Sequence, residues 1–191
     1  MTRDPASLAA LLDGWQGYET SLEHAIAPLS AAQLRWRPAP GLRSVGELVR
    51  HISLGRLMWL LRMDAPGSAE LAARVADWPV DEDGNRYLEE ARVVGAEDAA
   101  ALVAWLMDSW RVIERTLATW TVQDLGVTYR HVWNGDAYAN SRQWTLWRVL
   151  SHDIHHGGEL SLMLGLLGAP AFELGDLFGH VILPPLADQP G

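Results

Sequence analysis

His152 and His156 stand four residues apart near the C-terminus, in Ser151-His152-Asp153-Ile154-His155-His156-Gly157-Gly158-Glu159. On a helix that spacing puts both imidazoles on one face, one turn apart, where they can share a metal ion. The surrounding periodicity predicts a helix from about Arg142 to Leu167. Val149, His152, His156, Leu160, Met163 and Leu167 recur at three- and four-residue steps, the stripe that faces a bundle interior. Inward imidazoles need partners, because burying a polar nitrogen without one costs about 1–3 kcal/mol. A metal ion is one such partner; a carboxylate or a backbone carbonyl in the core is another.

A third imidazole lies far away in sequence. Ser44-Val45-Gly46-Glu47 has capping-box spacing, and Leu48, His51, Gly55 and Met58 follow on one helical face. Alone, His51 reads as a core histidine with its own partner. Beside the His152/His156 pair it can supply a third nitrogen. Three neutral imidazoles suit Zn, Ni, Fe(II), Co or Cu, and not Mg or Ca, which want oxygen. They also leave a coordination position open, where a bound water titrates near pH ~7 and a thiol becomes a thiolate. Glu47, Asp153 and Glu159 are the carboxylates nearest in sequence that could orient the rings. His155 points about 100° round the helix from His156 and should not share the ion. His24 falls off its helical stripe and reads as a surface or boundary residue, and His131 as a hairpin side chain.

Composition removes other chemistries. The chain has no cysteine, so disulfides, thiol nucleophiles and thiolate metal sites are out. Its 15 basic residues are all arginine, which removes Schiff-base chemistry on lysine. No GxSxG-like elbow is present. A net charge of -9 argues against nucleic acid or an anionic membrane as the main partner. No stretch approaches the ~18 consecutive apolar residues of a membrane span. Asp4 and the short apolar run from Leu8 to Leu12 do not form a signal peptide, so the expected location is the cytoplasm. Ten tryptophans are many for 191 residues; Trp mostly fills cores and pocket walls.

The elements that must position the histidines follow from the same periodicities. Asp4-Pro5 reads as a helix start, and Leu8, Leu11, Trp15, Tyr18, Leu22 and Ile26 carry a stripe to about Ala27, stopped by Pro28. Arg35 to Gly41 is a loop punctuated by Pro and Gly. Asp64 to Gly95 is a long connector, with a short helix over Ser68 to Ala76 capped by Ser68 and an exposed run from Asp77 to Arg92. A third helix spans about Glu97 to Trp120, its stripe made by Leu102, Leu106, Ser109, Ile113, Thr116 and Trp120. Val127 to Trp133, Asn134-Gly135 and Asp136 to Asn140 predict a small hairpin. The tail from Ala171 to Gly191 is apolar enough to pack on the bundle or on a second subunit. The expected architecture is therefore one all-α domain over 1–191. It is an up-down four-helix bundle with a long connector between helices 2 and 3 and a small β-hairpin before the last helix.

Leu34-Arg35-Trp36-Arg37-Pro38, then Ser44-Val45-Gly46-Glu47-Leu48 leading to His51, then His152 to Glu159, and the closing Leu166-Leu167-Gly168 resemble, in this order, the DinB-like superfamily of four-helix-bundle metalloenzymes. The similarity spans nearly the whole chain. Two positions depart from the family pattern: Gly157 stands where Arg is usual, and Glu159 where Gln is usual. The first is expected to remove a cation from the mouth of the site, the second to add an anion. The resemblance implies a divalent transition metal, Zn or Ni foremost, on His51, His152 and His156, and a homodimer. For some relatives it implies thiol-dependent transfer or isomerisation with a low-molecular-weight thiol such as bacillithiol or mycothiol. The leading expectation is an enzyme that activates such a thiol for attack on a small electrophilic substrate. One alternative is metal-assisted hydrolysis with Glu159 or Asp153 as proton acceptor. Another is a non-catalytic stress-response protein that binds a metal or a small apolar ligand among the tryptophans.

Overall fold

The computed structural model describes residues 8–11 and 14–171. Among these residues eight α-helices and one hairpin follow in chain order: α1 (Leu8–Leu11), α2 (Gly14–Ile26), α3 (Ala31–Arg35), α4 (Val45–Arg62), α5 (Ser68–Ala72), α6 (Glu90–Val93), α7 (Ala99–Thr119), β1 (Thr128–Trp133), β2 (Asp136–Ser141) and α8 (Arg142–Leu166). The four long helices α2, α4, α7 and α8 form the expected helical bundle. The predicted start at Asp4-Pro5, the side chain of Leu11 and the tail from Phe172 lie outside the described residues.

The helices begin where their caps say. Ser44 starts α4 with a complete capping box: its side chain accepts the Glu47 N–H, and the Glu47 carboxylate accepts the Ser44 N–H at 2.7 Å. Ser30 and Gln33 build the same device for α3, a short helix whose last residue, Arg35, was expected to open the Pro/Gly loop. Asp98 caps α7 and Ser141 caps α8. At α5 the expectation was wrong. Ser68 is the first buried helical residue, and the N-cap is Gly67 at φ 90°, a left-handed conformation that glycine adopts without steric cost.

α4 is the central helix. It packs along both α7 and α8, and it also receives α3, α5 and α6. Its buried surface is therefore wider than the stripe of Leu48, His51, Gly55 and Met58: Val45, Val49, Ile52, Ser53, Leu54, Arg56, Leu57 and Leu60 are buried as well. α7 buries the whole predicted stripe, from Leu102 to Trp120. α2 packs on α7 and reaches α8 through Trp15 and Tyr18. Trp15, Trp105, Trp110 and Trp120 fill the core, whereas Trp144 and Trp147 on α8 are 43% and 63% exposed. No helix among the described residues is long and apolar enough to cross a membrane.

The hairpin forms as predicted. β1 and β2 pair antiparallel from Thr128↔Ser141 to Trp133↔Asp136. Asn134 and Gly135 turn the chain at φ 52° and 81°, the two positive values that a tight two-residue turn requires. The connector folds back on it. Asp83 accepts the N–H groups of Asn134 and Gly135, each at 2.9 Å, so the turn and the connector are tied together.

Candidate metal centre

The three histidines singled out in the sequence meet. His51 from the middle of α4 faces His152 and His156 from consecutive turns of α8. Ring centroids are 4.9 Å apart for His51–His152, 4.8 Å for His51–His156 and 4.4 Å for His152–His156. One ring nitrogen from each lies within 4.8 Å of the others. His152 is buried; His51 and His156 are partly open to solvent.

Carboxylates fix two of the rings. His51 Nδ1 is bonded to Glu90 Oε1 at 2.7 Å, and His156 Nδ1 to Glu159 Oε2 at 2.7 Å. An ionised carboxylate only accepts, so the ring proton belongs on Nδ1 and Nε2 presents its lone pair. His51 Nε2 then faces His152 Nε2 at 3.1 Å. Either His152 Nε2 carries a proton and donates it to His51 Nε2, or a cation lies between the two nitrogens. Two nitrogens about 2.0–2.1 Å from one ion, at an angle of roughly 90–110°, are about 2.9–3.4 Å apart. The His51–His152 spacing matches that geometry, and the neutral donor set matches a borderline transition ion.

The electrostatics keep His152 neutral and able to ligate. Burial, reinforced by repulsion from His156 and His51, lowers its pKa from 6.5 to about 3. Burial lowers His156 as well, against the opposing pull of Glu159. Burial pushes the Glu159 carboxyl up, but the hydrogen bond and charge of His156 outweigh it and hold Glu159 below the usual carboxylate range.

Gly55 is what lets the two helices bring these rings together. A Cβ there would stand 2.9 Å from His152 Cε1, so the imidazole lies directly on the α4 backbone. Gly157 has a similar role on the opposite side of α8. A Cβ there would overlap the Tyr18 hydroxyl, which donates to the Asp153 carbonyl. This corrects the expectation for Gly157: the position is buried against α2, and it does not leave the mouth of the site short of a cation.

The other sequence candidates separate cleanly. Glu159 does reach a ring. Glu47 does not; its carboxylate is used by the Ser44 cap and by Arg37 at 3.3 Å. Asp153 points away from the histidines into the core, where Arg56 Nε donates to both of its oxygens at 3.0 and 2.9 Å and Trp15 Nε1 donates at 3.0 Å. Arg56 also pairs with Glu19 at 2.6 Å, and all three charged side chains are buried. His155 is exposed and lies outside the three-histidine group, joining only a surface cluster with His156 and Glu159. His131 packs its ring edge on Trp59, 5.6 Å between centroids.

Three contributors escaped the sequence reading. Glu90 had no signal, because its approach to His51 depends on the path of the whole connector. Glu19 and Arg56 did have one: Trp15, Glu19, Leu22 and Ile26 keep inward spacing, as do Val49, Ile52 and Arg56, and a charge on such a stripe asks for a buried counter-ion.

Comparison with known proteins places the fold. A family model described as the DinB superfamily matches residues 17–160. Among solved structures, a DinB-like protein from Bacillus cereus ATCC 10987 superposes with a TM-score of 0.60, at 17% sequence identity, over 88% of this chain and 97% of that one. No curated protein matches the chain. The matched span holds all four long helices, save the first three residues of α2 and the last six of α8, and it contains all three histidines. The chain belongs to the DinB superfamily.

Proposed function

We propose that the chain is a divalent-metal-dependent enzyme of the thiol-dependent transferase or isomerase type, with His51, His152 and His156 holding a Zn- or Ni-like ion. The observation that carries this reading is the convergence of three imidazoles, two of them braced by Glu90 and Glu159 on the nitrogen remote from the cluster. An ion held there supplies a Lewis-acid position that lowers the pKa of a coordinated thiol or water. The residues of the chain do the rest. Glu90 and Glu159 set the tautomers, and burial keeps His152 unprotonated. α4 and α8 fix the distance between the ring donors.

The hydrolytic alternative relied on Asp153 or Glu159 as proton acceptor. Asp153 is committed to Arg56 and Trp15 and Glu159 to His156, which favours the thiol reading. A homodimer, implied by the resemblance, is part of this proposal. Its support is the apolar outer face of α8, where Trp147, Ile154, Leu162 and Leu166 are exposed.

The test is conjugation of a low-molecular-weight thiol to an electrophilic aryl chloride, followed by absorbance. Activity that requires both thiol and ion, and that vanishes with chelator and returns with Zn or Ni, is expected. Full activity after complete removal of the ion, or turnover of esters with no thiol added, would contradict it.

A further inference from the structure

A cavity of about 510 Å³ opens between α4, α8, the hairpin and the connector. That volume is typical of small-molecule sites, which span ~300–1,000 Å³. The same two helices that carry the histidines wall it. Arg148 precedes His152 by four residues on α8, one helical turn or about 5.4 Å along the axis, while Trp59 follows His51 by eight on α4, about two turns.

Its walls are aromatic. Trp59 meets the edge of Trp144 at 5.7 Å and of His131 at 5.6 Å, and Tyr138 adds a half-exposed ring. Large rings left open around a concavity are a surface for a planar ligand. Its charges are not equivalent. Asp83 accepts two backbone N–H groups of the hairpin turn, and Asp81 is bonded to the Asn85 backbone and side chain, so both carboxylates are used in holding the fold. Arg62 donates one bond, to the Arg86 carbonyl, and stacks 4.7 Å over Trp59. The Arg148 guanidinium lies 5.7 Å from the Trp59 ring centre, and among the described residues no carboxylate pairs with it. A guanidinium with unused donors beside exposed rings is built for a planar oxyanion on an aromatic body.

We propose that this cavity is the substrate pocket of the histidine centre and that it takes a small aromatic carboxylate, its ring against Trp59 and Trp144 and its carboxylate on Arg148. The word substrate rests on the function proposed above; the binding itself does not. The test is calorimetric titration with 2-naphthoate, its uncharged amide 2-naphthamide, and hexanoate, on the protein as purified and again after chelation. Naphthoate is expected to bind about tenfold more tightly than the amide. It should also bind more tightly than hexanoate, with both preferences kept after chelation. Arg148→Gln should bring naphthoate down to the level of the amide, and Trp144→Ala should weaken both ring ligands alike. No naphthoate binding by the folded protein, equal affinity for acid and amide, or an acid preference that survives Arg148→Gln would overturn the proposal. So would a preference lost on chelation, which would put the carboxylate on the ion. Failure of the metal reading shows separately, as absence of bound metal.

Discussion

His152 illustrates how its surroundings prepare one side chain to ligate. Burial keeps it neutral, and Gly55 gives its ring room on the α4 backbone. The two carboxylates that brace His51 and His156 do not touch it, so its orientation rests on packing and on its 3.1 Å contact with His51 Nε2. Gly55→Ala therefore separates site geometry from fold stability. Alanine is the better helix former by about 1 kcal/mol, which offsets part of the crowding. The added methyl should push the imidazole out of the cluster and weaken metal binding roughly tenfold, by the measure of other supporting positions. Competition titration against a chromogenic chelator, beside urea unfolding, reads the two effects apart. Unchanged metal affinity in the alanine variant would mean that the ring does not need this contact.

At the level of elements, α2, α4 and α8 are joined at the centre of the bundle by Glu19, Arg56 and Asp153. One guanidinium faces two buried carboxylates. Burial alone would lower the Arg56 pKa, but the two acids outweigh it and hold the residue charged. The cost falls on Glu19, whose pKa burial raises from 4.5 to about 7 despite the pull of Arg56. A carboxyl whose folded pKa lies above its unfolded value loses stability, relative to a neutral side chain, as pH rises through that window. Glu19→Gln should therefore match the wild type near pH 4 and exceed it by about 1–3 kcal/mol at pH 8. Denaturant unfolding at the two pH values checks this. A Gln variant less stable at pH 8 would show that the second carboxylate is a net favourable partner of Arg56.

The elements also show how far the sequence could be read. α7 and α8 were legible because each buries one face, so the apolar residues keep a single helical period. α4 was legible in position but not in breadth, since it is covered on several sides and its period is blurred. The His152/His156 pair needed only helix geometry, and His51 needed only its place after a capping box. Glu90 was hidden because a carboxylate on a long connector can reach anywhere until the path of the chain is known. The Gly157 reading failed because a contact from another helix, Tyr18, decides what that position can hold.

Across the whole molecule, the acidic charge, the helical bundle and the histidine cluster fit the proposed reading, in which an ion would sit between two long helices and a small molecule beside it. Trp147, Ile154, Leu162 and Leu166 on α8 form an apolar face that the described residues leave exposed. Sedimentation equilibrium should give twice the 21.1 kDa chain mass, and Leu162→Glu should return the protein to the mass of one chain. A wild type that sediments as a single chain at all concentrations would remove the dimer from the account.

The measurement closest to the centre of this reading is the metal content of the untagged protein by elemental analysis, with His51→Ala, His152→Ala and His156→Ala beside it and His155→Ala as control. About one equivalent of a transition metal per chain is expected in the wild type and in the His155 variant, and its loss in each of the other three while their circular dichroism stays helical. Metal-free wild type after reconstitution with Zn or Ni, or a full equivalent retained when one of the three histidines is removed, would contradict a three-histidine centre and leave the imidazoles as hydrogen-bonded core side chains.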